Sequence, residues 1–172
     1  MKVEIRRIRA DEGPLLMQVR LLSLLDAPYA FASTYTDSVQ RPKEHWKARA
    51  AEASAGGSSA VIVAFAPDGP IGMAGAYTPD DRPEVRMIFG VWVEPALRGQ
   101  GVGRRLTETV IDWAFAAGAD RCELWVAEPN SAARVLYETL GFEDTGERQP
   151  FPSDETVTEL KLVRRADREP SA

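Results

Sequence analysis

Apolar residues fall along the chain in short blocks, and the spacing inside each block predicts an element. Val3, Ile5 and Ile8 read as extended, and Asp11 with Pro14 three positions on marks a helix start. Leu15, Val19 and Leu22 then keep the helical period over residues 12–26, and Pro28 stops the helix. Residues 29–39 read as an ordered loop. Pro42 opens a second helix that passes Trp46 and ends near Ala53, where a Ser- and Gly-rich stretch over 54–59 follows.

Residues 61–65 and 71–77 are β-type runs separated by Pro67-Asp68-Gly69-Pro70, a turn sequence, and so predict a hairpin. A further turn from Pro79 to Pro83 leads into an apolar strand over 85–93, interrupted by Gly90. Glycine inside a strand marks a bulge or a close approach to the backbone. After Pro95 comes Leu97-Arg98-Gly99-Gln100-Gly101-Val102-Gly103, then a long helix with Leu106, Val110, Trp113, Ala114 and Ala117 on one face and Gly118 at its end. Residues 122–127 form the next strand. Residues 130–140 form the next helix, with Ala133, Leu136 and Leu140 inward and Gly141 as its C-cap. Two strands over 142–147 and 156–163, joined by a long polar connection, complete the pattern.

That order of elements suits an α+β sheet with helices on both faces. With 172 residues, one domain over 1–165 is expected, followed by a disordered tail over 166–172. A chain of this length needs neither disulfide nor metal to be stable, and its lone cysteine, Cys122, excludes a disulfide scaffold. No apolar run approaches the ~18–20 residues of a membrane span, and the charged start MKVEIRRIRADEG is unlike a signal peptide, so a cytoplasmic protein is expected. The net charge of −5 and pI near 5.0 argue against a nucleic-acid partner. Any anion this chain binds is therefore small and locally held.

A strand ending at Val93, a glycine-rich loop and a helix starting near Gly101 make a geometry in which free backbone N–H groups converge on an anion. Glycines at 99, 101 and 103 let a diphosphate approach the backbone, and Arg98, Arg104 and Arg105 add positive charge. A glycine-rich turn with solvated arginines is an equal alternative on the glycines alone. The loop is not a P-loop, because no Lys follows the glycines, and it does not spell the dinucleotide fingerprint.

The pattern Arg98-x-x-Gly101-x-Gly103, after an apolar strand and Pro95, resembles that of the GCN5-related N-acetyltransferases. The resemblance continues in Asn130-x-x-Ala133-x-x-x-Tyr137-x-x-x-Gly141-Phe142 and covers residues 85–142. It implies a central mixed, mostly antiparallel twisted sheet of six to seven strands flanked by about four helices. It also implies acetyl-CoA as cosubstrate with no metal. Gly90 then stands where a bulge splays two parallel strands to admit the pantetheine arm. Val91, Trp92 and Val93 would meet that arm, and Arg98, Gly99, Gln100, Gly101, Val102, Gly103 and Arg104 would surround the pyrophosphate. Asn130 would contact the cofactor and Tyr137 would protonate the departing thiolate. A phenol of pKa ~10 can hydrogen-bond to and stabilise such a thiolate.

The attacking amine must be neutral, so a base or a water chain is required. Glu84, opening the strand that carries the base in several relatives, is the first candidate and Glu123 the second; His45, beside Trp46, suits packing. In relatives that acetylate protein N-termini a glutamate occupies the position that aligns with Trp125, which weakens a protein-substrate assignment. Arg20, Phe31, Ser33 and Tyr35 are expected to wall the acceptor site, with the connection 149–155 opposite. Together these features imply transfer of acetyl from acetyl-CoA to the primary amine of a small molecule by direct attack in a ternary complex. A protein N-terminal or lysine acetyltransferase and a non-catalytic acetyl-CoA-binding module are the alternatives, and a homodimer is expected by analogy. Cys122, opening a buried strand, is expected to pack rather than carry an acyl group.

Overall fold

The computed structural model of the chain describes residues 1–28 and 33–167. It contains β1 (Glu4–Arg7), α1 (Gly13–Asp26), α2 (Tyr35–Val39), α3 (Lys43–Ala55), β2 (Ser59–Ala66), β3 (Gly69–Tyr77), β4 (Val85–Val93), α4 (Val102–Ala116), β5 (Arg121–Ala127), α5 (Ser131–Thr139), β6 (Glu143–Phe151) and β7 (Asp154–Arg165). A 3-10 turn, Pro95–Leu97, precedes the glycine loop. The strands make one seven-stranded sheet in the order β1-β2-β3-β4-β5-β7-β6. Every pairing is antiparallel except β4 with β5, which the α4 crossover joins in parallel. This is the mixed, mostly antiparallel sheet the sequence implies.

Two cores cover its faces. On one, Leu106, Val110, Ile111 and Ala114 of α4, with Tyr137 and Leu140 from the α5 region, pack on Ile62, Ala74, Ile88, Leu124, Leu160 and Leu162. On the other, Leu16, Val19 and Leu24 of α1 and Trp46 and Ala50 of α3 cover Val61, Val63, Met73 and Trp92. Each fully buried aliphatic side chain contributes about 1.5–3 kcal/mol relative to exposure.

Three sequence expectations change. Leu22 is 41% exposed, whereas the buried stripe of α1 includes Ser23, whose hydroxyl donates to the Arg20 carbonyl at 2.7 Å. Within the expected loop 29–39, residues 35–39 form α2, capped by Thr34, whose Oγ1 accepts from the Asp37 N–H at 3.1 Å. The long polar connection near the C-terminus is a strand pair turned at Pro152-Ser153. Pro150 is tolerated inside β6 because β6 is the sheet edge. The expected tail lies outside the described residues from position 168 on.

Candidate active site

The feature that creates a site is the short β4/β5 ladder. The two strands pair only at Val85–Arg121, Arg86–Cys122 and Met87–Glu123. Past that point β4 turns away through a bulge. Gly90 and Val91 together oppose the single residue Ala74 of β3, between the pairs Met73–Trp92 and Gly75–Phe89. Gly90 has φ +64°, a left-handed backbone that side chains disfavour, which is why this position carries none. The bulge expected from the sequence is therefore present. Gly75 supports it from β3, because a Cβ there would stand 2.6 Å from the Phe89 ring.

A cleft of about 540 Å³ opens where the strands part. Gly90 and Val91 line one side and Leu124, Trp125 and Val126 the other. Backbone N–H and C=O groups along the facing edges of β4 and β5 are not paired with one another here, so they are available to an extended ligand. Asn130 and Tyr137 border the same cleft. Asn130 caps α5, its side chain accepting from the Ala133 N–H at 3.3 Å. Tyr137, two turns on, is 7% exposed and packs edge-on against Phe142 at 5.8 Å between ring centroids. Burial raises its phenol above the ordinary value, so it remains protonated.

The glycine loop lies just beyond the C-terminal end of β4. Gly99 and Gly101 have φ +76° and +81°, and a Cβ at either would meet open space. Their need for glycine is therefore conformational. The first turn of α4 leaves the N–H groups of Val102, Gly103 and Arg104 without intrahelical acceptors, next to an unobstructed loop, which suits a diphosphate. Val102 itself is buried in the core, Gly103 lies against Val93 and Leu136, and Gln100 is exposed.

The arginines are anchored rather than idle. Arg98 donates through Nε to the Val93 carbonyl at 2.9 Å and pairs with Asp26, which also accepts from the Trp92 indole at 2.8 Å. Arg104 reaches Glu108 at 3.2 Å and Thr139 at 2.7 Å. The cradle is thus chiefly main chain. Trp92 and Val93 turn their side chains into the two cores, and of the three expected strand contacts only Val91 lines the cleft.

The acceptor side differs from expectation. Arg20 and Ser33 line the cleft and are joined by a hydrogen bond of 2.8 Å, whereas Tyr35 does not line it, and Phe31 lies outside the described residues. Gln149, Phe151 and Pro152 form the opposite wall. Glu84 is not at the cleft. It stands at the closed end of the β4/β5 pair and bonds Arg121 at 3.3 Å, so the geometry separates it from Tyr137. Glu123 is held by Arg82 at 2.7 Å, Arg121 at 2.8 Å and Lys161 at 3.3 Å. Burial opposes its ionisation, but these cations together prevail and lower its pKa, which makes it a poor base.

A carboxylate that the sequence did not single out does border the cleft. Glu159 of β7 is 5% exposed, faces Ala127 of β5 in register, and accepts a hydrogen bond from Gln149 of β6. Burial raises its pKa, only partly offset by Gln149, and among the described residues no basic group lies within ion-pair distance. Residues 125 and 127 share a strand face, so Glu159 stands diagonally across from Trp125. Only strand order reveals this, because β7 neighbours β5 although α5 and β6 intervene in sequence.

Comparison with known proteins agrees with this architecture. Residues 20–142 match the Acetyltransferase (GNAT) family. A mycothiol acetyltransferase of Beutenbergia cavernae is 46% identical over 55 residues, 32% of this chain and 18% of that protein. The uncharacterized protein ML0378 of Mycobacterium leprae is 31% identical over 153 residues, 86% of this chain and 40% of that one. The chain thus spans less than half the length of these curated relatives. Among solved structures, yncA of Salmonella typhimurium, a putative acetyltransferase with its cofactor acetyl-CoA, superposes with TM-score 0.78 at 19% identity, over 100% of this chain and 98% of that one. With a splayed β4/β5 pair, a glycine loop opening α4 and a family match over more than half its length, the chain belongs to the GNAT acetyltransferase family.

Proposed function

We propose that the protein transfers the acetyl group of acetyl-CoA to the primary amine of a small molecule, by direct attack with both substrates bound. The observation that carries this reading is the opening between β4 and β5, bordered by Gly90, Asn130 and Tyr137 and leading toward the positive-φ loop at the start of α4. The residues present suit acetyl-CoA. Unpaired backbone along β4 at Gly90 and Val91 fits an amide-bearing arm, and the N–H groups of residues 102–104 fit a diphosphate. Bound there, acetyl-CoA would supply the activated acetyl thioester.

The chain's own residues supply proton management and position. Tyr137 holds a proton on its Oη and hydrogen-bonds to the thiolate as it leaves. Glu159, in place of Glu84, is positioned to accept the proton of the attacking amine, directly or through one water, while Gln149 fixes its carboxylate. Cys122 takes no part. It is fully buried, and burial pushes its thiol up to about 12. A cytoplasmic location and a homodimer accompany the proposal on composition and family analogy.

The test is equilibrium binding of acetyl-CoA together with release of free CoA across a broad panel of amines. Binding with turnover of a small amine is the expected result. Failure of both would end the proposal, and turnover confined to peptide N-termini or lysines would replace the small molecule with a protein acceptor.

A further inference from the structure

On the α1/α3 face of the sheet, a pocket of about 310 Å³ continues from the cleft, because Arg20, Ser33, Tyr77 and Phe89 line both. Its size is that of a small-molecule site. Arg20 of α1, Arg41 ahead of α3, and His45 and Arg49 of α3 face it, whereas among the described residues no aspartate or glutamate lines it. Glu52, just outside, lies 3.7 Å from Arg49. The floor and walls are apolar and aromatic, with Met73, Trp46 and Phe89 among them.

Holding like charges together is unfavourable unless an anion joins them. Arg20 is lowered to about 10, first by burial of its guanidinium and then by the charge of Arg49, and it stays protonated at neutral pH. His45 is lowered from its ordinary value by burial, Arg41 and Arg49, so near neutrality it contributes a neutral ring. A second observation points to a ligand independently. Trp46 is 6% exposed, lines the pocket, and its buried indole N–H has no hydrogen-bond acceptor among the described residues. A buried donor of this kind is costly unless something accepts from it.

We infer that this pocket binds a carboxylate carried by the acceptor itself, so that the amine substrate is an amino acid or a similar carboxylated amine rather than a simple cationic amine. The inference rests on the acetyltransferase reading and names its substrate class. Guanidinium groups bind carboxylates through paired, charge-assisted hydrogen bonds, which suits Arg20, Arg41 and Arg49 better than isolated lysines would. The aromatic wall receives the acceptor's apolar portion, and the shared boundary at Ser33 and Phe89 directs its amine toward the cleft where Tyr137 and Glu159 lie.

The experiment measures acetyl transfer by the full chain to L-amino acids, each paired with its neutral carboxamide, beside acetyl-CoA binding by calorimetry. At least one free acid should be turned over with kcat/KM 30-fold or more above its amide. In Arg49→Met the KM for that acid should rise 10-fold or more while the KM values for its amide and for acetyl-CoA hold, and Arg49→Lys should recover part of the loss. Because Arg49 is 42% exposed in its side chain, this variant is expected to fold. Amides that equal or exceed their acids, or turnover of plain amines without any acid, overturn the carboxylate pocket and leave the acetyltransferase reading standing. Acetyl-CoA binding with no turnover of any acid likewise overturns the pocket. No binding of acetyl-CoA at all overturns the reading beneath it.

Discussion

Two buried groups in the cleft, Tyr137 and Glu159, are both pushed toward their protonated forms by burial, yet the proposed mechanism asks opposite things of them. Tyr137 must donate, and a raised pKa keeps its proton in place through the alkaline range. Tyr137→Phe should lower kcat by about 100-fold with acetyl-CoA affinity unchanged, measured by steady-state kinetics and calorimetry. Glu159, as the proposed base, accepts, so with its raised pKa the acidic limb of the kcat/KM profile is expected above the ordinary carboxylate range. Glu159→Gln should lower activity by about 100-fold or more and abolish that limb. The same shift has a thermodynamic sign. The folded state holds the Glu159 proton more tightly than the unfolded chain does, so this group's contribution to stability falls as pH rises from the ordinary value through the folded one. Glu159→Gln removes that decline, which urea titrations across pH 4–8 would register. Glu123 behaves oppositely: its lowered pKa supports the fold above the ordinary value, and that support is lost as pH falls through the folded one. Removing its charge by Glu123→Gln, which leaves Arg82, Arg121 and Lys161 without it, should destabilise by about 1–3 kcal/mol in denaturant unfolding.

At the scale of elements, the glycine loop and α4 act as one device. Gly101 sits at φ +81° with open space where a Cβ would go, so Gly101→Ala tests backbone conformation without a clash. It should destabilise the protein by about 1–2 kcal/mol and weaken acetyl-CoA binding, read by thermal unfolding and calorimetry. This loop was legible from sequence because glycine spacing and the α4 stripe Leu106, Val110 and Ala114 are local patterns. So were Gly90 and the β4 limits of Val85 and Val93. Less legible features had non-local causes. Pro150 fell in the polar connection between two expected strands, and only the knowledge that β6 forms an edge makes it a strand residue. Leu22 keeps the helical period yet faces outward, because α1 meets the sheet along Leu16, Val19 and Ser23. Glu159 resembled any polar residue of an alternating strand until β7 was known to lie beside β5. Glu84 stands away from the cleft for the same reason, since the distance from strand start to cleft is set by where the β4/β5 ladder ends.

On the scale of the whole molecule, charge is partitioned in space. A chain of net charge −5 gathers Arg20, Arg41 and Arg49 on one pocket and keeps Arg98 and Arg104 at the other end of the route, each beside a carboxylate that holds it in place. Cys122, at 0% exposure, should resist a thiol reagent in the native protein and react fully in denaturant. The sheet adds a mechanical consequence. Its halves, β1 to β4 and β5 with β7 and β6, pair along three residues, which leaves two facing edges open to a slender guest. A guest so seated adds rungs to the sheet, and its binding free energy becomes folding free energy, about 2.7 kcal/mol at a hundred times its dissociation constant. The protein's survival against unfolding would then gauge how much guest its surroundings supply.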